Sequence, residues 1–351
     1  MKKMKIGNIS IGRDCPPFII GEMSGNHNRS LDHALRLVRI AAECKVDAIK
    51  LQTYTPDTLT IDHSGGLFTI DDESSLWHGK NLYELYDIAH TPWEWHKEIF
   101  DLARSLNLEV FSTPFDETAV DFLETLEVPA YKIASFESNH HPLLKKVAST
   151  GKPIIISSGT SNIDELLESI DVLKENGCRE IIVLKCTSTY PANIKSSNLL
   201  TIPTLYDIFD DCLIGLSDHT LGIGASVAAV ALGACVIEKH FTSSRDDGGV
   251  DSAFSLEPSE LSSLVYEAKR AKLSLGRVQL RSQKAEDGSL RFKRSIYAVQ
   301  DIKEGSAFSN ENIRIIRPGD GLQPKHFEEI LGKNCKMNID KGTPLSWDYV
   351  E

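Results

Sequence analysis

The chain has 351 residues, 41% of them hydrophobic and 25% charged, and its 38 lysines and arginines against 50 aspartates and glutamates leave a net charge of −12. That is enough for one soluble barrel of about 250 residues plus a small module, and the lack of a basic cluster argues against a nucleic-acid partner. The cysteines, at 15, 44, 178, 186, 212, 235 and 335, form no C-x-x-C pair and are odd in number, which argues against a disulfide framework or zinc site and fits reduced thiols.

Gly7, Asn8, Ser10, Gly12, Arg13 and Asp14 interrupt any signal-peptide core. No run reaches transmembrane length, so a cytoplasmic protein with no membrane partner is expected. From there, eight short apolar runs each end in polar residues. Phe18-Ile19-Ile20 leads into Glu22, Ala48-Ile49 into Lys50 and Gln52, and Val110-Phe111 into Ser112 and Thr113. Tyr131 leads into Lys132, Ser135 and Glu137, and residues 153–156 into Ser157 and Ser158. Residues 181–184 lead into Lys185, Thr187 and Ser188, residues 213–216 into Ser217, Asp218 and His219, and Val236-Ile237 into Glu238, Lys239 and His240. Buried parallel strands read as continuous apolar runs, and polar groups at their C-terminal ends form the active-site face of a (β/α)8 barrel.

Helical periodicity fills the gaps. Ser30 can cap a helix in which Leu31, Leu35, Val38 and Ala42 recur at three- and four-residue spacing. Segments 93–106, 117–126, 142–149, 163–176, 222–232 and 258–275 behave similarly. No G-x-G-x-x-G follows the first strand, which argues against a doubly wound nucleotide-binding sheet. The expected fold is α/β, a TIM barrel over residues 1–276.

Two segments break the alternation. Residues 55–91 are too long for a barrel connection and carry an aromatic stretch from Trp77 to Tyr86. Such a segment serves as a lid or binding loop, or packs as a solvated excursion on the barrel rim. Residues 277–293, polar and containing Asp287-Gly288-Ser289, read as a linker. A β-rich module follows over 294–351, in which residues 301–308 are echoed by 338–345. Each copy is an apolar stretch, a glycine turn and a second apolar stretch, as in a pair of related hairpins. About sixty residues bury a marginal core, so docking on a barrel, in this or another subunit, is expected.

Several motifs carry a family resemblance. Gly21-Glu22-Met23-Ser24-Gly25-Asn26-His27, Lys50-Leu51-Gln52-Thr53, Lys132-Ile133-Ala134-Ser135, Ser157-Ser158-Gly159 and Lys185-Cys186-Thr187 resemble, in order, those of the sialic acid synthase family. So do Gly215-Leu216-Ser217-Asp218-His219-Thr220 and Glu238-Lys239-His240-Phe241. In that family a barrel precedes an antifreeze-like SAF domain, which Arg317-Pro318-Gly319 matches. Within the family, Leu76-Trp77, Leu82-Tyr83-Glu84-Leu85-Tyr86 and Thr91-Pro92-Trp93-Glu94-Trp95-His96 resemble the pseudaminic acid branch.

The resemblance implies a phosphoenolpyruvate-dependent transferase. Its reaction would join phosphoenolpyruvate, 2,4-diacetamido-2,4,6-trideoxy-L-altrose and water, with C–O cleavage, into pseudaminic acid and phosphate. N-acetylneuraminate or legionaminate synthesis is the alternative within the family. A Schiff-base aldolase built on Lys132 or Lys185 is a more distant one. A third reading gives the C-terminal module a non-enzymatic role in binding ice or sugar, which its attachment to an intact catalytic face disfavours.

A phosphate and a carboxylate need converging cations and neutral donors. Lys50, Thr113, Lys132, Ser135, Ser157, Ser188 and Ser217 offer these from different strand ends and match the family positions, Ser188 standing where many relatives have Asn. His219 and His240, at neighbouring strand ends, can ligate a divalent ion. The family implies manganese there, with magnesium or cobalt as alternatives. Glu22 is the expected proton-handling catalytic residue. Gln52, Glu137, Tyr190, Asp251 and Arg317 match the sugar-facing positions, and Arg317 would arrive from the partner subunit of a domain-swapped homodimer.

Overall fold

The computed structural model describes residues 2–73 and 75–351, which divide into two compact units, one ending at Gly276 and one running from Arg277 to Glu351. In the first, a hairpin of β1 (Lys3–Ile6) and β2 (Ile9–Gly12) precedes the barrel strands β3 (Phe18–Glu22), β4 (Ala48–Thr53), β5 (Glu109–Pro114) and β6 (Tyr131–Ile133). β7 (Ile154–Ser157), β8 (Ile181–Cys186), β9 (Leu213–Asp218) and β10 (Val236–His240) follow. These eight strands pair in sequence order, and β10 returns to β3 to close a parallel barrel. All eight apolar runs read from the sequence lie on these strands.

The helices form where the apolar spacing puts them. Leu31–Glu43 is capped by the Ser30 hydroxyl, which accepts the His33 N–H, and buries Ala34, Leu37, Val38 and Ala41. The helix from Pro258 to Ser274 buries Leu261, Leu264, Val265 and Ala268 one turn apart. Sequence periodicity passed over the helix Thr201–Ile208, whose eight residues are too few to establish a period. The 55–91 segment is not a bare loop: it contains the helical turns Pro56–Leu59 and Gly66–Phe68 and the helix Leu82–Ala89.

Strand alternation sorts the charges at the top of the barrel. In β10, Glu238 and His240 point into the barrel, whereas Lys239, between them, faces outward and is 1% exposed. Lys239 Nζ lies 3.0 Å from Asp218 Oδ2. Asp218 also accepts the Thr220 N–H at 2.9 Å and the Thr220 and Ser226 hydroxyls at 2.8 and 2.6 Å. This network ties β9 to β10 behind His219. Among the described residues no helix is long and apolar enough to cross a membrane.

In the second unit, β11 (Ser295–Ala298) pairs antiparallel with β12 (Ile313–Ile316). The core gathers Ile296, Phe308, Ile313, Ile330, Ile339 and Leu345. The two echoed segments do not close separate hairpins. They pair with each other, Ile302 and Ile339 exchanging both backbone hydrogen bonds at 2.8 Å. Each keeps its glycine turn, with Gly305 at φ +77° and Gly342 at +91°. Residues 284–292, inside the segment read as a linker, form an exposed 3₁₀ stretch.

The outward network carries a stability prediction. Asp218→Ala leaves the buried Lys239 ammonium without its carboxylate and is expected to cost about 3–5 kcal/mol in denaturant unfolding. Replacing Asp218 and Lys239 together by leucine is expected to cost less than the two single losses added. A loss below 1 kcal/mol for Asp218→Ala would show that the pair does not hold the strand ends together.

Candidate active site

At the C-terminal end of the barrel lies a cavity of about 420 Å³. It is lined by Glu22, Lys50, Gln52, Thr113, Lys132, Ser135, Glu137, Ser157, Ser188, Tyr190, Ser217, His219, His240 and Asp251, the whole candidate set read from the barrel sequence. Arg317 belongs to the other unit, where it is exposed just beyond β12. Lys185 departs from expectation: its amine meets the Thr187 hydroxyl at 2.5 Å, and it does not line the cavity. It sits between Leu184 and Cys186, and strand alternation turns it away from the barrel axis. This removes it as a Schiff-base nucleophile.

The floor of the cavity is a buried charge quartet. Lys50 Nζ lies 2.7 Å from Glu22 Oε2 and 3.8 Å from Glu238 Oε2, and donates to Thr113 Oγ1 at 2.9 Å. Lys132 Nζ lies 3.7 Å from Glu238 Oε1, which also accepts the Ser217 hydroxyl at 2.9 Å. Burial disfavours the charged form of Glu238, but Lys132 and Lys50 hold its carboxyl below its ordinary range. Glu22 and Glu238 keep the Lys50 ammonium protonated, raising it against the pull of burial. Lys132 is lowered, burial outweighing Glu238. Sequence reading left Glu238 out of the candidate set, although its i, i+2 spacing to His240 puts both on one strand face.

Beside the quartet is a cluster of hydroxyls. Ser157 Oγ is buried without a partner among the described residues. Nearby, Gly159 lets the Ser135 and Ser188 hydroxyls pack against its backbone, where a Cβ would collide with both. Two buried lysine amines beside the unpartnered Ser157 hydroxyl suit a small phosphorylated carboxylate. The opposite wall is apolar and comes largely from the 55–91 segment, through Leu59, Ile70, Trp77, Leu82, Leu85 and Tyr86. The Trp77 indole N–H donates to the Val250 carbonyl at 3.2 Å, and its ring lies 5.8 Å from that of Tyr190.

Comparison with known proteins then decides the family. Residues 37–280 match the NeuB family model, and residues 293–351 match the SAF domain. The chain belongs to the NeuB family. It is 42% identical over 342 residues to a pseudaminic acid synthase of Campylobacter jejuni, covering 97% of this chain and 98% of the relative. A pseudaminic acid synthase of Helicobacter pylori is also 42% identical, over 337 residues, covering 96% and 98%. Among solved structures, an N-acetylneuraminic acid synthetase from Leptospira borgpetersenii superposes with a TM-score of 0.73 at 32% identity, covering 82% of this chain and 95% of that one. The resemblance drawn from the motifs therefore holds across the chain.

In this NeuB-family barrel, His219 and His240 stand with ring centroids 5.3 Å apart. The Thr187 carbonyl, an acceptor, lies 3.0 Å from His219 Nδ1. It therefore fixes the proton of the neutral ring on Nδ1 and leaves Nε2 free to ligate. Among the described residues His240 Nδ1 has no hydrogen-bond partner, and it lies 3.4 Å from Asp251 Oδ2. Two imidazoles fit a borderline divalent ion. No group of three or more His, Cys, Asp or Glu among the described residues could hold one, so most of the coordination sphere would fall to water and substrate.

Glu137 is a sugar-facing residue with a displaced carboxyl. Burial pushes it up to about 7, although Lys132 and Lys50 pull the other way, and its Oε2 has no partner among the described residues. A carboxyl raised on folding stabilises the native state fully below its ordinary value near 4.5, and that contribution is lost as pH rises through about 7. Glu137→Gln removes the ionisable group. Thermal unfolding between pH 4 and 8 is therefore expected to show the variant gaining on the wild type as pH rises. A pH-independent difference between the two would show that the Glu137 carboxyl is not raised.

Proposed function

We propose that the protein is a pseudaminic acid synthase, a transferase joining phosphoenolpyruvate, 2,4-diacetamido-2,4,6-trideoxy-L-altrose and water into pseudaminic acid and phosphate. The observation that carries this reading is the two-sided cavity: a buried dilysine floor faces an apolar wall built by the 55–91 segment. The floor suits a three-carbon phosphorylated acid. The wall suits a sugar with two acetamido methyls and a C6 methyl, each of which gains on leaving water. The 42% identity to two pseudaminic acid synthases supports the same sugar.

In this reading Lys50 and Lys132 bind the phosphate and carboxylate, with donors from Thr113, Ser135, Ser157, Ser188 and Ser217. A divalent ion, manganese first, would be held by His219 and His240 and would supply Lewis-acid activation of the sugar aldehyde. C3 of phosphoenolpyruvate forms the new bond to the aldehyde carbon, water adds to C2, and the bond between C2 and the phosphate oxygen breaks. Glu22 takes the proton of the incoming water and returns it to the alkoxide left on the sugar's aldehyde oxygen. Its Oε1 is oriented by the Gln52 amide at 3.0 Å and its Oε2 by Lys50. Tyr190 packs its ring 4.5 Å from that of His219, where it can support the sugar chain. Gln52, Glu137 and Asp251 meet the sugar's polar groups. The reading also includes a cytoplasmic homodimer in which the partner's SAF domain brings an arginine to the sugar.

Phosphate release was the natural readout for the chemistry. With phosphoenolpyruvate in excess, the 6-deoxy altrose sugar is expected to be turned over, N-acetylmannosamine and the legionaminate precursor at least tenfold less well, and chelation to stop all turnover until manganese is restored. Preferred turnover of N-acetylmannosamine would overturn the sugar assignment, and full activity after exhaustive chelation would overturn the metal. Subunit exchange tests the dimer: Arg317→Ala and Glu22→Gln chains, each nearly inactive alone, are expected to regain part of the activity when mixed. No regain under demonstrated exchange would argue against a site shared between subunits.

A further inference from the structure

Ser24 opens the short 3₁₀ turn Ser24–His27, two residues beyond Glu22. Its φ is +48°, in the left-handed region that an L side chain enters at a cost and glycine enters freely. It is 4% exposed and lines the cavity. Glycine would serve the turn better, so what serine adds is its hydroxyl. A non-glycine residue held there beside a site is a reason to ask what its side chain does.

That hydroxyl is the node between two elements of the site. It accepts the Gln52 amide N–H at 3.0 Å and donates to Asp251 Oδ2. The Gln52 Nε2 is also 3.0 Å from Glu22 Oε1. The carboxylate needs a donor, so the amide nitrogen must face it, and both amide protons are then spent. Gln52 Oε1 remains as an acceptor with no hydrogen bond to the described residues. Asp251 is similar: Oδ2 is held by Ser24 and Oδ1 is left over, while its backbone N–H donates to Asn26 Oδ1 at 3.2 Å. With Gln52 Oε1 and Asp251 Oδ1 both left over, the sugar side of the cavity offers two fixed acceptors. A diacetamido sugar offers the complement, amide N–H and hydroxyl donors.

We propose that Ser24 is a positioning residue for the sugar, its hydroxyl locking Gln52 and Asp251 as acceptors for the sugar's amide and hydroxyl protons. This rests on the synthase reading above. It makes the strained backbone the means by which Oγ reaches both partners at once. Phosphoenolpyruvate, bound by Lys50 and Lys132, does not depend on it.

Ser24→Gly and Ser24→Ala separate the hydroxyl from the backbone. Both lose the hydroxyl, but only glycine relieves the left-handed strain, and it fits the turn without distortion. Sugar KM is expected to rise about tenfold in both, the loss of roughly two hydrogen-bond constraints, with phosphoenolpyruvate KM within twofold of wild type. Ser24→Gly is expected to melt at or above Ser24→Ala. Sugar KM unchanged in Ser24→Gly, or restored in step with its melting temperature, would overturn the proposal, as would an equal rise in both substrates' KM. Wild-type enzyme that turns over none of the amino sugars would sink the synthase reading along with it; wild-type turnover with unaffected variants would sink this proposal alone.

Discussion

The structure depends on keeping four charges inside a protein. Lys50, Lys132, Glu22 and Glu238 are each 4% exposed or less, and an isolated charge at that depth would give up its ionisation before it gave up water. Two lysines set against two glutamates offset one another, and Thr113 and Ser217 take part of the remaining hydrogen-bonding capacity. The arrangement needs β3, β4, β6 and β10 around one axis, which a closed barrel supplies because β10 pairs back onto β3. In register, His240 stands beside Glu22, and Glu22 beside Lys50. Closing the sheet and charging the site are the same event.

The quartet also sets how the cavity receives an anion. Glu22 and Glu238 hold the Lys50 ammonium protonated against burial, and an incoming phosphate or carboxylate competes for donors already oriented. The apolar wall opposite works by a different force, removal of methyl and ring surface from water. The two halves are separable in kind: one is charged and buried, the other apolar with a few oriented acceptors. Ser24 stands at their border, spending backbone comfort to hold two polar side chains still. Local strain at a site is tolerable when the surrounding barrel is well packed.

The barrel was legible because its eight strands are buried on both faces, and full burial writes continuous apolar runs into the chain. The site residues were legible because each run ends in the groups that face the cavity. Glu238 was missed for a related reason: it stands inside the polar cluster next to Lys239, and which of two adjacent charges faces in is decided by the pleat. Lys185, offered as an alternative Schiff-base nucleophile, is turned outward by the same pleat. The 55–91 segment could be recognised as special from its length and aromatics, but not as a wall, since its contacts with Tyr190 and Val250 span more than a hundred residues. In the SAF domain the internal echo was visible, while its meaning was not, because the copies pair with each other through Ile302 and Ile339.

By itself, then, the sequence determined the element order, the burial of each strand and the list of polar groups brought to one end of the barrel, since these follow from local periodicity and chain direction. Tertiary structure alone decided which of those groups meet. The pairing of Lys50 with Glu22 and Glu238, the acceptor left on Gln52 and the left-handed backbone of Ser24 all depend on distances between segments far apart in the chain. Those distances are set by barrel closure and register, which no local run of residues encodes.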